Sequence, residues 1–144
     1  MRGSFARAPR LGALAAALLL VSACGDDGTG PATVTPATGT WSGSTSQSRA
    51  LSFAVTAQGI TSATLNYQLS GSGCSYTATV TVSGSAPVPI ANGQFSTGAI
   101  PIGTNATMSA TGRFTSATQA NGSVSISDGG CGGSVNLTWT ATRP

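Results

Sequence analysis

The chain has 144 residues, of which 40 % are hydrophobic and only 6 % are charged, with no His, Lys or Glu. General acid–base catalysis uses mainly His, Glu, Asp, Lys, Tyr and Cys, and most zinc and copper sites include imidazole ligands. This composition therefore argues against most kinds of enzyme, and no cofactor or metal is expected. The net charge of +3 comes from six arginines and three aspartates, and three of the arginines lie in the first ten residues.

The N-terminal part has three successive zones. Residues 1–10 are basic and contain no acidic residue, residues 11–21 are an unbroken apolar run, and the small residues Ser22 and Ala23 precede Cys24. This order is typical of a secretory signal peptide. The apolar run is shorter than the roughly 20 residues that a membrane-spanning helix needs. Residues 1–23 are therefore predicted to be a signal peptide.

The segment Val21-Ser22-Ala23-Cys24 resembles the lipobox of bacterial lipoproteins, in which an aliphatic residue and two small residues precede an invariant cysteine. The resemblance implies cleavage before Cys24 and attachment of a diacylglyceryl group, with a further acyl chain such as palmitate in many bacteria. Two or three acyl chains anchor a protein stably without a transmembrane helix. The chain is then a cell-envelope protein whose partner is the membrane. In a Gram-negative organism this would be the outer membrane, because Gly25 follows the cysteine in place of the Asp that directs retention at the inner membrane. The alternative is an ordinary signal peptide with a chance cysteine.

Removal of the signal peptide would leave three arginines and three aspartates, so no basic patch for nucleic acid is expected. Residues 24–39 are rich in Gly, Pro, Thr and Asp and have no periodicity, which predicts a flexible tether. Residues 40–144 have the length of a single domain.

Within residues 40–144, apolar and polar residues alternate, as they do in β-strands with one buried face. The predicted inward rows are Leu51-Phe53-Val55, Leu65-Tyr67-Leu69, Tyr76-Ala78-Val80-Val82, Met108-Ala110-Gly112-Phe114, Val124-Ile126 and Val135-Leu137-Trp139. Glycine-containing turns such as Ser83-Gly84-Ser85 separate the rows. The pattern predicts an all-β fold, an antiparallel β-sandwich of about 7–9 short strands, with a small β-barrel as the alternative.

Two further features refine this fold. Three prolines place residues 86–102 at a sheet edge or in a loop, where Ile90, Phe95, Ile100 and Ile102 are expected to cap an open end of the core. Small inward residues such as Ala78 and Ala110 favour a closely packed interior.

Cys74 and Cys131 remain once Cys24 is assigned to lipid, and an even pair in an exported domain predicts a disulfide. A metal or redox pair is the alternative. It is disfavoured because the chain has no His and because redox pairs usually have Cys-x-x-Cys spacing.

Few residues of the domain are candidates for a chemical site. Asp128 is its only carboxylate, which excludes paired-carboxylate chemistry and is weak for calcium, so Asp128-Gly129 is expected to form a turn. The serines have no His or Lys to activate them. Trp139 shares a row with Leu137 and is predicted to be in the core, whereas Trp41 belongs either to the core or to a surface that stacks on sugar.

No catalytic residue is therefore assigned. The chain is expected to be a non-catalytic cell-envelope lipoprotein, serving as a structural or binding module for an unknown ligand. One alternative is a periplasmic carrier of an apolar ligand, which requires an apolar cavity of roughly several hundred Å³. Another is a surface adhesin that binds glycans, which requires exposed aromatic side chains. The ligand and any protein or glycan partner are left open.

Overall fold

The computed structural model describes residues 33–71 and 73–144, so the predicted signal peptide, the lipobox-like segment with Cys24 and most of the predicted tether lie outside the described residues. In the described part of the chain, no helix is long and apolar enough to span a membrane. Its regular structure consists of nine strands: β1 (Gly39–Thr45), β2 (Ala50–Thr56), β3 (Gly59–Gly71), β4 (Cys74–Val88), β5 (Gln94–Ser96), β6 (Ile100–Pro101), β7 (Ala106–Phe114), β8 (Gln119–Asp128) and β9 (Gly133–Thr142).

All nine strands belong to one antiparallel sheet. Its order is β4-β3-β2-β1-β9-β8-β7-β5, and β6 pairs with β7. The sheet curls like part of a barrel, so that aromatic side chains of one half, β1–β4, contact those of the other half, β5–β9. The prediction of an all-β antiparallel fold is therefore confirmed. The two ends of the sheet, β4 on one side and β5 with β6 on the other, are not paired with each other.

The two halves are held together by five aromatic side chains, which we call the aromatic cluster: Trp41, Phe53, Phe95, Phe114 and Trp139. The ring of Phe53 on β2 lies 5.8 Å from that of Trp139, 6.4 Å from that of Phe114 and 6.5 Å from that of Phe95. Trp41 is fully buried, which assigns it to the core. Each large aromatic side chain removed from water contributes roughly 1.5–3 kcal/mol, so this cluster is a main source of stability.

Two glycines make room for these rings. Gly112 on β7 and Gly122 on β8 are paired across the strands. A Cβ atom on Gly112 would lie 2.7 Å from the indole of Trp139 and would also overlap the ring of Phe95, while one on Gly122 would lie 2.5 Å from the same indole. The rings of Phe95 and Trp139 can therefore lie over the sheet only because both positions lack side chains.

Cys74 and Cys131 form a disulfide, as predicted, with their Cα atoms 5.9 Å apart. It joins the start of β4 to the loop between β8 and β9. The backbones also approach closely here, because a Cβ atom on Gly133 would lie 3.2 Å from the carbonyl oxygen of Ser70 and 3.4 Å from the Cα of Gly71. The curled sheet is thus closed at this end by a covalent bond and by backbone contact.

The last residues of the predicted tether contact the domain. Val34 packs against the core, and the amide of Ala37 donates a hydrogen bond to the carbonyl of Ala117 at 2.9 Å. The indole N–H of Trp41 donates to the carbonyl of Ala37 at 3.0 Å. Residues 34–39 therefore belong to the folded domain. The sequence did not predict this, because single contacts rather than a repeating apolar pattern hold these residues against the domain.

Candidate functional site

A cavity of about 290 Å³ lies inside the curl of the sheet, between its two halves. Strands β2 to β9 all contribute to its wall. The apolar residues that line it are Leu51, Phe53, Ile60, Ala63, Leu65, Val80, Val82, Ala86, Val88, Phe95, Ile100, Met108, Ala110, Val124 and Trp139. The expectation of a closely packed interior is therefore wrong for this region.

The cavity reaches the two unpaired ends of the sheet. Its wall includes Val80 to Val88 of β4 on one side and Phe95 of β5 with Ile100 of β6 on the other, and these strands are not hydrogen-bonded to each other. The side chains of Val80 and Val82 are only half-buried, because β4 has no neighbour beyond it. The opening of the cavity therefore lies between the sheet ends.

A wide bulge in β4 shapes this opening. Ile60 pairs with Val88 and Ser62 pairs with Ser83, so that residues 84–87 of β4 lie opposite the single residue Thr61 of β3. The predicted turn at Ser83-Gly84-Ser85 is therefore a bulge within an edge strand, a position where bulges are common. The sequence could not distinguish the two, because both use glycine and interrupt the alternation.

The cavity wall is uncharged. None of the described residues that line it has an ionisable acidic or basic side chain, and the residues with hydroxyl groups that border it are Thr61, Ser62, Ser83 and Thr97. The hydroxyl of Thr97 donates to the carbonyl of Gly98 at 2.8 Å and accepts from the amide of Ala110 at 2.9 Å. A concave, mainly apolar wall with a few polar groups is typical of sites for small apolar molecules.

Three residues give the cavity a specific character. The rings of Phe95 and Trp139 are stacked, with an interplanar angle of 27° and centroids 6.1 Å apart, so they present flat aromatic surface. Met108 of β7, which also lines the cavity, supplies an unbranched and polarisable side chain that adapts to irregular shapes. Of the four residues predicted to cap an open end of the core, Phe95 and Ile100 lie in the wall of the cavity, whereas Ile90 and Ile102 pack against the core without lining it.

Asp128 lies apart from the cavity. It accepts a short hydrogen bond from the hydroxyl of Tyr76 and another, at 2.8 Å, from the amide of Gly130. These bonds favour the carboxylate, with that of Tyr76 the larger cause, and they hold the pKa of Asp128 below its ordinary value. The same contact raises the pKa of the Tyr76 hydroxyl. In the described residues, no group of three or more His, Cys, Asp or Glu side chains could hold a metal ion.

No tryptophan or tyrosine among the described residues offers an exposed surface for stacking on sugars. Trp41, Trp139 and Tyr67 are buried, and Tyr76 is half-buried and bound to Asp128. Within residues 33–71 and 73–144, no aromatic side chain is exposed. The requirement for an adhesin that binds glycans through exposed aromatic residues is therefore not met by this part of the chain.

Comparisons with models of protein families, with curated proteins and with solved structures found no match to this chain.

Proposed function

We propose that this protein is an exported, lipid-anchored and non-catalytic binding module that holds a small apolar ligand in the cavity of its curled sheet. The observation that carries the proposal is the apolar cavity of about 290 Å³, which opens between the two unpaired ends of the sheet. The lipobox residues Val21 to Cys24 support attachment to the cell envelope.

The residues of the wall support binding rather than catalysis. Hydroxyl groups act as nucleophiles only when a neighbouring base activates them, and Thr61, Ser62, Ser83 and Thr97 have no acidic or basic neighbour among the described residues of the wall. Asp128, which could act as a base elsewhere, is engaged by Tyr76 and Gly130.

The size of the cavity sets an upper limit on affinity. At about 30 Å³ for each water-sized group, the cavity holds about ten non-hydrogen atoms. Burying ten methylene groups at about 0.8 kcal/mol each gives roughly 8 kcal/mol, which corresponds to a Kd of about 1 µM. The loss of translational and conformational freedom weakens this value, so we expect binding in the micromolar to millimolar range.

The test uses 8-bromooctan-1-ol, because a bromine atom quenches the fluorescence of a nearby indole and Trp139 lies in the wall. Titration of the purified chain should give saturable quenching. The variant Ala110→Phe adds six carbon atoms to a side chain that lines the cavity and should weaken binding at least tenfold. The matched control is Ser109→Phe, since Ser109 is the preceding residue of the same strand and does not line the cavity.

Circular dichroism of both variants establishes that the sheet is retained. Quenching of the wild-type chain that rises linearly without saturation would refute the proposal. Equal binding by Ala110→Phe and the wild-type chain would also refute it, because the ligand would then bind elsewhere.

A further inference from the structure

We infer that the ligand, or the part of it that enters the cavity, is uncharged and contains about ten non-hydrogen atoms, as in a medium-chain alcohol or ester. This inference rests on the proposed function and adds the class of ligand. It follows from two properties of the cavity, the chemistry of its wall and its volume, which together separate medium-chain neutral molecules from fatty-acid anions of the same length.

The chemistry of the wall excludes buried charge. A carboxylate or ammonium group that leaves water must gain a charged partner or several hydrogen bonds, or else its charged form is strongly disfavoured. The described residues that line the cavity include no Arg, Asp or other charged side chain. The three arginines of the domain, Arg49, Arg113 and Arg143, lie elsewhere on the chain and none of them lines the cavity.

The polar groups that are present suit a neutral ligand. Ser62 and Ser83 are paired across β3 and β4 beside the bulge, and Thr61 lies next to them. The hydroxyl of a threonine such as Thr61 can donate a hydrogen bond to, or accept one from, an alcohol, ester or amide, whereas Ser62 and Ser83 alternate with the inward-facing Ala63 and Val82 and so belong to the other face of the sheet. The hydroxyl of Thr97 already donates to one backbone group and accepts from another, so it has little capacity left to solvate an anion.

The volume sets the length of the part that is enclosed. A cavity of about 290 Å³ accommodates about ten non-hydrogen atoms. Burial of one methylene group contributes ~0.8 kcal/mol, which corresponds to a change of about fourfold in Kd. Each methylene group that enters the cavity should therefore strengthen binding about fourfold. Carbon atoms beyond the tenth must remain at the opening between β4 and β6, where they gain much less.

The first experiment compares 8-bromooctan-1-ol with 8-bromooctanoate by quenching of the indole fluorescence. The two probes have the same chain and differ mainly in the charge of the polar end. At pH 7 the alcohol should bind at least tenfold more tightly. At pH 4 most of the acid is neutral, since a side-chain carboxyl has a pKa near 4.3, and the two affinities should then agree within about threefold.

The second experiment measures competition by unbranched alkan-1-ols from pentanol to dodecanol. Affinity should rise about fourfold for each carbon up to about nine carbons, which with the oxygen makes ten atoms, and should then level off. A continued fourfold rise to dodecanol would overturn the inferred size.

The outcomes separate the two proposals. If neither brominated probe gives saturable quenching, the proposed function itself fails. If both bind equally well at pH 7, the cavity binds apolar chains as proposed, but the inference that it selects neutral ligands is wrong.

Discussion

Loss of the disulfide between Cys74 and Cys131 provides a quantitative test of the fold. The two cysteines are 57 residues apart in sequence. In the chain-entropy model, removal of a cross-link that closes a loop of this length destabilises the folded state by about 4 kcal/mol at 25 °C. The free energy of unfolding of a domain is about 5–15 kcal/mol in total. The reduced chain should therefore still fold, but with a much smaller free energy of unfolding.

The expected change in melting temperature follows from this free energy. A domain of about 110 residues has an unfolding entropy of roughly 0.23 kcal/mol/K near its Tm. A loss of about 4 kcal/mol therefore lowers the Tm by roughly 15–20 °C. Thermal unfolding, followed by circular dichroism, should show this decrease both for the wild-type chain with a reductant and for the double variant Cys74→Ser/Cys131→Ser.

The double variant also provides the control, because a reductant should change its Tm by no more than the experimental error. A decrease of less than about 5 °C in the wild-type chain would refute the reasoning. It would mean that the backbone contacts at this end of the sheet, rather than the covalent bond, keep the curl closed.

Three other predictions concern separate parts of the chain. In denaturant titrations, Gly112→Ala should destabilise the domain by about 1–3 kcal/mol, because the new methyl group overlaps aromatic rings. The control Gly103→Ala should change stability little, because its Cβ would lie 3.6 Å from the nearest neighbour. The hydrogen bond from Tyr76 holds the pKa of Asp128 below its ordinary value of 3.8, so the stability that this bond contributes is present above about pH 4 and is lost as the pH falls through the lowered folded-state pKa. In thermal melts between pH 2 and 6, Asp128→Asn should not show this acid-dependent loss. A pH profile of the variant that equals that of the wild-type chain would contradict the assignment. Finally, Cys24→Ser should abolish incorporation of labelled palmitate in cells, whereas labelling that persists in this variant would contradict the lipobox interpretation.

The strand pattern of the domain could be predicted because alternation is a local property of the sequence. Rows such as Leu65-Tyr67-Leu69 record which face of a strand is buried, and the structure places all three of these side chains in the core. The disulfide could be predicted for a different reason, since only two cysteines remain in the domain once Cys24 is assigned to lipid.

The cavity could not be predicted in the same way. Whether Ala110 packs against a large side chain or borders an empty space depends on which residue of a distant strand lies opposite, and this is decided by the curl of the sheet. The bulge at residues 84–87 adds to the difficulty, because it displaces four residues of β4 without any local signal beyond glycine and proline. The inward row of a strand is therefore encoded locally, but the volume between two rows is not.

The central claim, that an apolar ligand enters the cavity, is tested most directly at Met108. It is the only methionine among the described residues, its side chain is buried, and it lines the cavity. In a deuterated chain with ¹³C-labelled methionine methyl groups, the Met108 signal can be assigned with the variant Met108→Leu. Addition of protonated octan-1-ol should produce nuclear Overhauser effects between the ligand methylenes and this methyl group, and these should disappear in Ala110→Phe. An unshifted Met108 signal without such effects at millimolar octan-1-ol would contradict the account.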